Sequence, residues 1–357
     1  MNKTKGEIMN NFKKIGLTAL AGSLAAVSAN AVELSVSGET TVSYISNTAA
    51  KVGTIGGSSI GTSTGITFSG SGELENGWTV SSSNILNDAD ANALSSSQLN
   101  LTMGSMGTVT FAKAAGTNVN AIDDVTPKVA EEAWDGASNS VLQGIGGQTA
   151  SGAVAYKSPS FDLMGVTASF GVDYDPAASA TGNDHDAVAT KVSNEGSGMG
   201  AVIKLAHDSG LTLGAGVEEI SSNSGVGAEQ ENVTAYALYT MGPVSVGYQG
   251  YYLNNGSMGT GAAAADFAGA DYSGEAVGIA FNVNDQVSIG YQKVSEDKEA
   301  YTSNASVTRD IKSLSAAYSS GGMTMSIQQT DTDNYTMLTA GNELDTETVQ
   351  VTLSFAF

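Results

Sequence analysis

Residues 347–357 read ETVQVTLSFAF, and apolar side chains occupy every second position of this stretch. The apolar set consists of Val349, Val351, Leu353, Phe355 and Phe357. A period of two is typical of a β-strand with one apolar and one polar face, because successive strand side chains point to opposite sides. Chain ends usually fray. A strand that continues to Phe357 therefore predicts that the last residues pair with another strand.

The same alternation recurs along the rest of the chain. It is present in WTVSSSNIL (78–86), TVTFAK (108–113), VSVGYQGYY (244–252) and QVSIGYQK (286–293), each with small or polar residues on one face. The 357 residues include 44 glycines and only 4 prolines, and glycine weakens helices. The pattern predicts an all-β protein.

The connections between these segments fall into two classes. Seven are short turns, such as Glu75-Asn76-Gly77 and Ser320-Gly321-Gly322, and they alternate with eight long polar stretches. This alternation predicts sixteen strands of about ten residues, which is the length that a tilted strand needs to cross a bilayer.

A soluble sandwich would pack its apolar face into a core, but nothing in the composition divides the chain into two such domains. A closed barrel with an apolar exterior and a wet interior accounts for all the features together, because lipid tolerates no open strand edge. We therefore predict a 16-stranded antiparallel transmembrane β-barrel with long extracellular loops and short periplasmic turns. The last strand closes the barrel against the first.

The first 31 residues have the pattern of an export signal. Lys13 and Lys14 precede a short apolar run over residues 15–27, and Ala29 and Ala31 supply the small residues before a cleavage site. We predict cleavage after Ala31, a barrel over residues 32–357, and export through the periplasm to the outer membrane.

Charge narrows the range of partners. Removal of residues 1–31 takes away four lysines and one glutamate, which leaves 10 basic and 35 acidic residues. Such a negative field makes nucleic acid an unfavourable partner. The chain has no cysteine, so no disulfide holds the fold.

Candidate catalytic and metal-binding motifs are weak. His207, Asp208 and Ser209 are consecutive, whereas a catalytic triad needs separately oriented groups. His185 is the only other histidine, which leaves a zinc site short of ligands. We predict no enzyme activity and no cofactor. Loose Ca²⁺ binding by acidic loops stays open, at Asp184 and Asp186 or at Asp331 and Asp333.

The sequence resembles the general diffusion porins of Gram-negative outer membranes, particularly the alphaproteobacterial type. The resemblance covers the mature chain and is carried by VELSVSGETTVSY (32–44), ITFSGSGELENGW (66–78), MGTVTFAKAAG (106–116), VAYKSPSF (154–161) and the terminal Phe357. It implies a homotrimer in which the third long loop, about residues 114–150, folds into the lumen.

The resemblance also implies where the pore is narrowest. The acids of the third loop would form one side of a constriction, and they are Asp123, Asp124, Glu131, Glu132 and Asp135. Lys113 and Lys157 match two positions where such porins carry basic wall residues, although Lys113 shares the parity of Val109 and Phe111.

The chain departs from that pattern where Glu39 and Thr67 replace expected basic residues. Glu39 and Glu73 have lumenal parity. Rings of charge set the selectivity of a pore, so we expect a preference for cations.

The expected function is passive diffusion of small hydrophilic solutes and ions through a water-filled channel. A substrate-specific channel on the same scaffold is an alternative, and an adhesin without a channel is a more distant one. The expected partners are outer-membrane lipid, lipopolysaccharide and the assembly machinery, for which Phe355 and Phe357 would supply the recognition signal.

Overall fold

The computed structural model describes residues 33–49, 56–88, 94–113, 116–134, 145, 152–176, 195–222, 229–254, 270–300, 306–335, 337 and 344–357. The proposed signal segment, residues 1–31, lies outside this set. Seventeen strand segments follow one another: β1 (Glu33–Ala49), β2 (Gly57–Glu73), β3 (Thr79–Asn87), β4 (Leu94–Thr102), β5 (Thr108–Lys113), β6 (Ala153–Lys157), β7 (Phe161–Leu163), β8 (Val166–Asp175), β9 (Glu195–His207), β10 (Leu211–Ser222), β11 (Gln230–Met241), β12 (Val244–Asn254), β13 (Ala270–Asn282), β14 (Val287–Ala300), β15 (Ser306–Ser320), β16 (Met323–Asp333) and β17 (Thr346–Ala356). Two single-turn 3₁₀ helices cover Gly104–Met106 and Asn120–Ile122.

Apart from β6 and β7, consecutive strands pair with each other in one antiparallel sheet, and β1 pairs with both β2 and β17. The segments β6 and β7 both pair with β8 and form one barrel strand. Pro159 interrupts this strand because it has no backbone N–H to donate, and Ser158 donates to Phe170 O at 2.9 Å just before the break. The seventeen segments therefore make the sixteen strands of a closed barrel, which confirms the predicted fold.

The seam between the two ends of the chain is regular. Registered pairs run from Glu39 opposite Ala356 to Ala49 opposite Thr346. Gly38 and Phe357 exchange both backbone hydrogen bonds, at 2.8 and 2.9 Å. The Phe357 ring lies over Gly38, where a Cβ would come within 2.5 Å of it. Residues 33–37 extend beyond the end of β17 and pair with β2 alone.

The two faces of the sheet differ as the alternation predicts. The outer face carries exposed apolar side chains, which include Ile203 and Val217 on β9 and β10, Tyr248 and Tyr252 on β12, and Ile289 and Tyr291 on β14. The polar face is the inner one, because one loop segment, residues 117–134, contacts it from β8 to β15. A tall outward apolar band around a polar interior is the pattern of a membrane barrel. The helices among the described residues are too short to cross a membrane.

Candidate functional site

The described part of the third loop, residues 116–134, is fastened to the inner wall by three strand side chains. Asp173 on β8 accepts the backbone N–H groups of Asn118 and Val119 at 3.0 and 2.8 Å. This side chain is buried, so its hydrogen bonds to the loop replace those to water. The first contact therefore fixes the start of the segment at β8.

Two glutamines continue the attachment along the wall. Gln249 on β12 accepts the N–H of Val125 at 3.0 Å and donates to the carbonyl oxygens of Ile122 and Asp123 at 2.9 and 3.0 Å. Gln292 on β14 accepts the N–H of Ala133 at 2.9 Å. Both glutamines are almost fully buried. If the loop moved away, each buried amide would lose its hydrogen-bond partners and remain shielded from water, which is energetically unfavourable. These hydrogen bonds therefore hold the loop against the wall.

An apolar cluster anchors the far end of the segment. Trp134 is 1% exposed and packs with Ala133 of the loop and with three strand residues, Ala276, Val294 and Ile311. Large aromatic side chains bury the most area per residue. Trp134 therefore pins the loop to β13–β15, on the far side of the lumen from its start beside β5.

The loop carries its charges between these anchors. Asp123 and Asp124 are partly exposed, and Lys128 Nζ lies 3.7 Å from Asp124 Oδ2. Lys128 also pairs with Glu132, which is buried. Burial, with the adjacent Asp124 carboxyl as hydrogen-bond partner and like charge, raises the pKa of Asp123 to about 7. Burial and a nearby like charge disfavour the ionised form of a carboxyl. The Asp123 carboxyl therefore loses its proton near neutral pH instead of in the acidic range.

The predicted loop acids are thus not equivalent. Asp123 and Asp124 form the adjacent pair, Glu132 is buried against Lys128, and Glu131 is exposed. Asp135 lies outside the described residues. The loop therefore presents a mixed arrangement in which Lys128 offsets part of the negative charge.

The two predicted basic wall residues lie on different faces. Lys157 is opposite Thr108 and Gly171 and shares the inner face with Ala155. Lys113 pairs with Ser97 in an unbroken register, one position beyond the inward-facing pair Gln98 and Ala112. No bulge rotates the strand, so Lys113 has outward parity. This corrects the expectation that it lines the pore.

The predicted acidic wall residues have inward parity. Glu39 lies opposite Gly65 and accepts a hydrogen bond from Thr41 Oγ1 at 3.0 Å. Glu73 lies opposite Thr79 at the tight-turn end of β2. Both are exposed, which places two carboxylates on the water-filled side. Of the predicted assembly residues, Phe355 has the outward parity of Leu353, and Phe357 closes the seam.

Three inward-facing basic residues were not predicted from the sequence, and one of them is Lys298 on β14, whose Nζ lies 5.7 Å from the centroid of the inward-facing Tyr272 ring. Lys204 on β9 is exposed and lies opposite Gly214 and Ser169. Arg309 on β15 is fully buried and donates from Nε to Glu296 Oε2 at 2.6 Å. The parity of Lys204 with Gly200 and Val202, against outward Ile203 and Leu205, was the available signal. The partner of Arg309 lies on another strand, so the local pattern does not reveal it.

The wall that faces the loop carries hydroxyl and amide groups. In the described strands β16, β17 and β1–β5, no lysine or arginine has inward parity. The inward positions hold mostly Ser, Thr, Asn and Gln, as in the chain of hydrogen bonds from Thr110 to Asn100 Oδ1 at 2.7 Å and from Asn100 to Ser81 at 3.5 Å. A basic row opposite the loop, as the resemblance implies, is therefore not found in this part of the chain.

A second segment folds inward next to the third loop. Arg309 Nη1 donates to Tyr335 O at 3.0 Å, and Asn334 donates to Thr308 O at 3.1 Å. Met337 packs in a buried cluster with Leu253 and Tyr272. The connection after β16 therefore covers the inner wall of β12–β15, towards the long-loop end.

The rejected catalytic motif is a local turn. His207 Nδ1 contacts Ser209 Oγ at 2.8 Å and accepts the Ser209 N–H at 3.1 Å. All three residues of this motif are exposed at the tight turn after β9. Within the described ranges no three acidic, histidine or cysteine side chains form a group that could hold a metal ion. Asp331 and Asp333 are exposed on β16, whereas Asp184 and Asp186 lie outside those ranges.

Comparison with known proteins agrees with this geometry. The sequence profile described as Gram-negative porin matches residues 16–325. Comparison with curated proteins gives no match.

Solved structures share the fold at low identity. The anion-selective porin of Comamonas acidovorans has a TM-score of 0.61 at 15% identity, over 91% of this chain and 100% of that one. OmpF of Salmonella typhi, in complex with daunomycin, has a TM-score of 0.63 at 14% identity, over 91% and 98%. The trimer form of OmpT of Vibrio cholerae has a TM-score of 0.62 at 9% identity, over 92% and 100%.

The profile match spans most of the chain, and the closed sixteen-stranded barrel with its polar interior has the architecture expected of such a channel protein. The chain belongs to the Gram-negative porin family and is an outer-membrane protein.

Proposed function

We propose that this porin is a general diffusion channel for small hydrophilic solutes and ions, with a preference for cations. Conduction down a gradient needs no catalytic step and no cofactor. The observation that carries the proposal is the fastening of residues 116–134 to the inner wall, because it brings Asp123 and Asp124 into the barrel interior beside water.

The charge of the interior supports the cation preference. Glu39 and Glu73 have inward parity on the wall that faces the loop, and the described part of that wall has no basic residue on its inner face. Lys157 and Lys204 also line the interior, but they lie on β6 and β9, towards the wall that the loop covers. Charge that lines a pore attracts counter-ions and repels co-ions.

Replacement of both Asp123 and Asp124 by Asn tests the proposal in planar bilayers under a salt gradient. We expect the reversal potential to move towards that of a non-selective pore. A matched control replaces Asp208 and Asp285, which are exposed in tight turns, by Asn. An unchanged reversal potential in the loop variant, or an equal change in the control, would argue against the constriction assignment.

A substrate-specific channel on the same scaffold remains the alternative proposal. It predicts current that one solute blocks saturably, whereas a general channel predicts conductance in proportion to salt. We also propose a homotrimer embedded in lipid and lipopolysaccharide and delivered by the assembly machinery. The trimer form of the Vibrio cholerae structure supports this proposal.

A further inference from the structure

Six glycines of the inner wall lie directly beneath the third loop. A Cβ at any of them would lie between 2.3 and 2.8 Å from a loop atom, and the contacts are Gly171 with Asn118, Gly200 with Val119, Gly216 with Ile122, Gly247 and Gly278 with Pro127, and Gly290 with Val129. None of the six has a positive φ. Their backbone conformations therefore accept any residue, and what these positions lack is space for a side chain.

Pro127 is the loop residue that contacts two of these six glycines. Gly247 on β12 and Gly278 on β13 lie directly opposite each other in the sheet, and Pro127 sits on this pair. A Cβ at Gly247 would come 2.5 Å from Pro127 Cδ, a ring atom. A Cβ at Gly278 would come 2.4 Å from Pro127 O and 3.0 Å from Pro127 N, which are backbone atoms.

The contact of Pro127 with Gly247 and Gly278 also affects the position of the charged residues of the loop. Asp124 precedes Pro127 by three residues and Lys128 follows it directly, and the two side chains lie 3.7 Å apart. Gln249, two residues after Gly247, holds the carbonyl oxygens of Ile122 and Asp123. A shift of Pro127 would therefore move the charged segment with it.

We propose that Gly247 and Gly278 are positioning residues that set the aperture of the pore. They let the loop lie flush against the wall, and a side chain at either position displaces Pro127 into the lumen by roughly 1 Å, the difference between these separations and an ordinary contact. This inference rests on the proposed channel function, since it names what fixes the width of that channel.

The chain provides a matched control on the opposite wall. Gly65 on β2 has inward parity opposite Glu39, and a Cβ there would find its nearest neighbour, Leu86 O, at an ordinary 3.8 Å. Gly65→Ala therefore adds the same methyl group to the lumen without pushing the loop. It separates loop displacement from the volume of the added group.

The experiment compares Gly247→Ala, Gly278→Ala and Gly65→Ala in the full-length porin. Liposome swelling gives the ratio of disaccharide to monosaccharide uptake, and planar bilayers give the conductance. We expect the uptake ratio to fall about twofold in the first two variants, because a narrower pore hinders the larger solute more. We expect little change in Gly65→Ala.

A rescue distinguishes positioning from general damage. Pro127→Ala removes the ring atoms that Gly247→Ala would strike but keeps the backbone atoms that Gly278→Ala would strike. The other close neighbour of a Cβ at Gly247 is Leu238 Cδ2 at 2.6 Å, the end of a side chain that can rotate. Pro127→Ala should therefore restore the uptake ratio of Gly247→Ala to that of Pro127→Ala alone, and should leave Gly278→Ala defective.

If the wild-type porin conducts but Gly247→Ala behaves as Gly65→Ala does, the positioning role is refuted and the channel function stands. Equal rescue of both variants also refutes it. If Gly278→Ala does not fold, the Gly247→Ala pair with its rescue still decides the matter. Absence of conductance in the wild-type protein overturns the proposed function itself.

Discussion

Asp123 is a loop residue whose charge depends on its surroundings. Burial and the neighbouring Asp124 carboxyl raise the pKa of Asp123 to about 7. A raised carboxyl pKa means that the group is neutral below pH 7 and negative above it. The negative charge of the loop therefore increases as the pH rises through neutrality.

This sign leads to a prediction for ion selectivity. We expect the preference for cations to increase between about pH 5 and about pH 9, with most of the change within about one unit of the Asp123 pKa, because each unit changes the ionised ratio tenfold. Reversal potentials at several pH values measure it. Asp123→Asn should flatten the curve near pH 7, and a variant that keeps the wild-type curve would refute the assignment to Asp123.

The buried pair of Glu296 and Arg309 allows a prediction for stability. Both side chains are fully buried, and Tyr251 also donates to Glu296 Oε1, at 3.2 Å. Arg309→Met leaves Glu296 without its cation, which costs about 3–5 kcal/mol for a buried pair. We expect the folded barrel to melt at a lower temperature on a heat-modifiability gel.

A second substitution separates the charge from the loss of packing. The double variant Arg309→Met with Glu296→Gln removes both charges, and it should recover part of the melting temperature. If the double variant melts no higher than Arg309→Met alone, the unpaired carboxylate is not the cause.

Single residues also show how far the sequence could be interpreted. The parity of Lys157, Glu39 and Glu73 follows from alternation alone, since a strand side chain points to the side opposite its neighbours. The outward parity of Lys113 was visible in the same way, but the resemblance favoured the pore. Gly247 and Gly278 gave no signal, because their role depends on contacts with a loop that is far away in the sequence.

At the scale of strands and loops, the outer face is not uniformly apolar. On β3 and β4, Ser97 donates to Asn84 Oδ1 at 2.8 Å, and Asn84 donates to Ser82 at 3.2 Å. On β1 and β2, the hydroxyls of Thr40 and Thr64 lie 3.1 Å apart. Polar groups that face hydrocarbon are costly, so a protein surface is a better neighbour for this patch than lipid.

We therefore expect the patch on β1–β4 to lie between copies of the chain in the trimer. Asn84→Ala should lower the temperature at which trimers dissociate on a gel, by removing both hydrogen bonds of its side chain. Ser273→Ala, which alters an exposed position of matching parity on β13, serves as control. Equal dissociation temperatures for Asn84→Ala and wild type would argue against this contact.

The elements themselves were largely predictable. Tight turns alternate with long connections, so the count of sixteen barrel strands follows from turn residues and period-two runs. The break between β6 and β7 follows locally from Pro159. The path of the third loop did not follow, because Asp173, Gln249 and Gln292 lie on three separate strands and hold backbone groups, which leave no pattern in the loop sequence.

The whole molecule depends on the closure of β1 against β17. Deletion of Phe357 removes two backbone hydrogen bonds to Gly38 and the ring that covers it. We expect less folded barrel in the outer membrane, with near-normal conductance for each channel that does insert. Yield on gels and single-channel recordings measure the two effects separately.

Phe161→Ala serves as the control, because Phe161 is also an exposed aromatic residue and lies on β7, away from the seam. It should leave the yield close to that of wild type. A normal yield after deletion of Phe357 would contradict the role of the terminal ring in assembly.

The closing seam also determines the order of events in folding. Thr41 and Ser354 share a hydrogen bond at 2.8 Å across a sequence separation of 313 residues. The chain loses the entropy of closing a long loop before residues this far apart can form stabilising contacts. Topologies with such distant contacts fold slowly. The first strand must therefore wait with one unpaired edge until the last strand arrives, and an unpaired edge invites aggregation. We therefore expect the interval before the last strand pairs to be the period in which the open edge of β1 exposes this protein to aggregation.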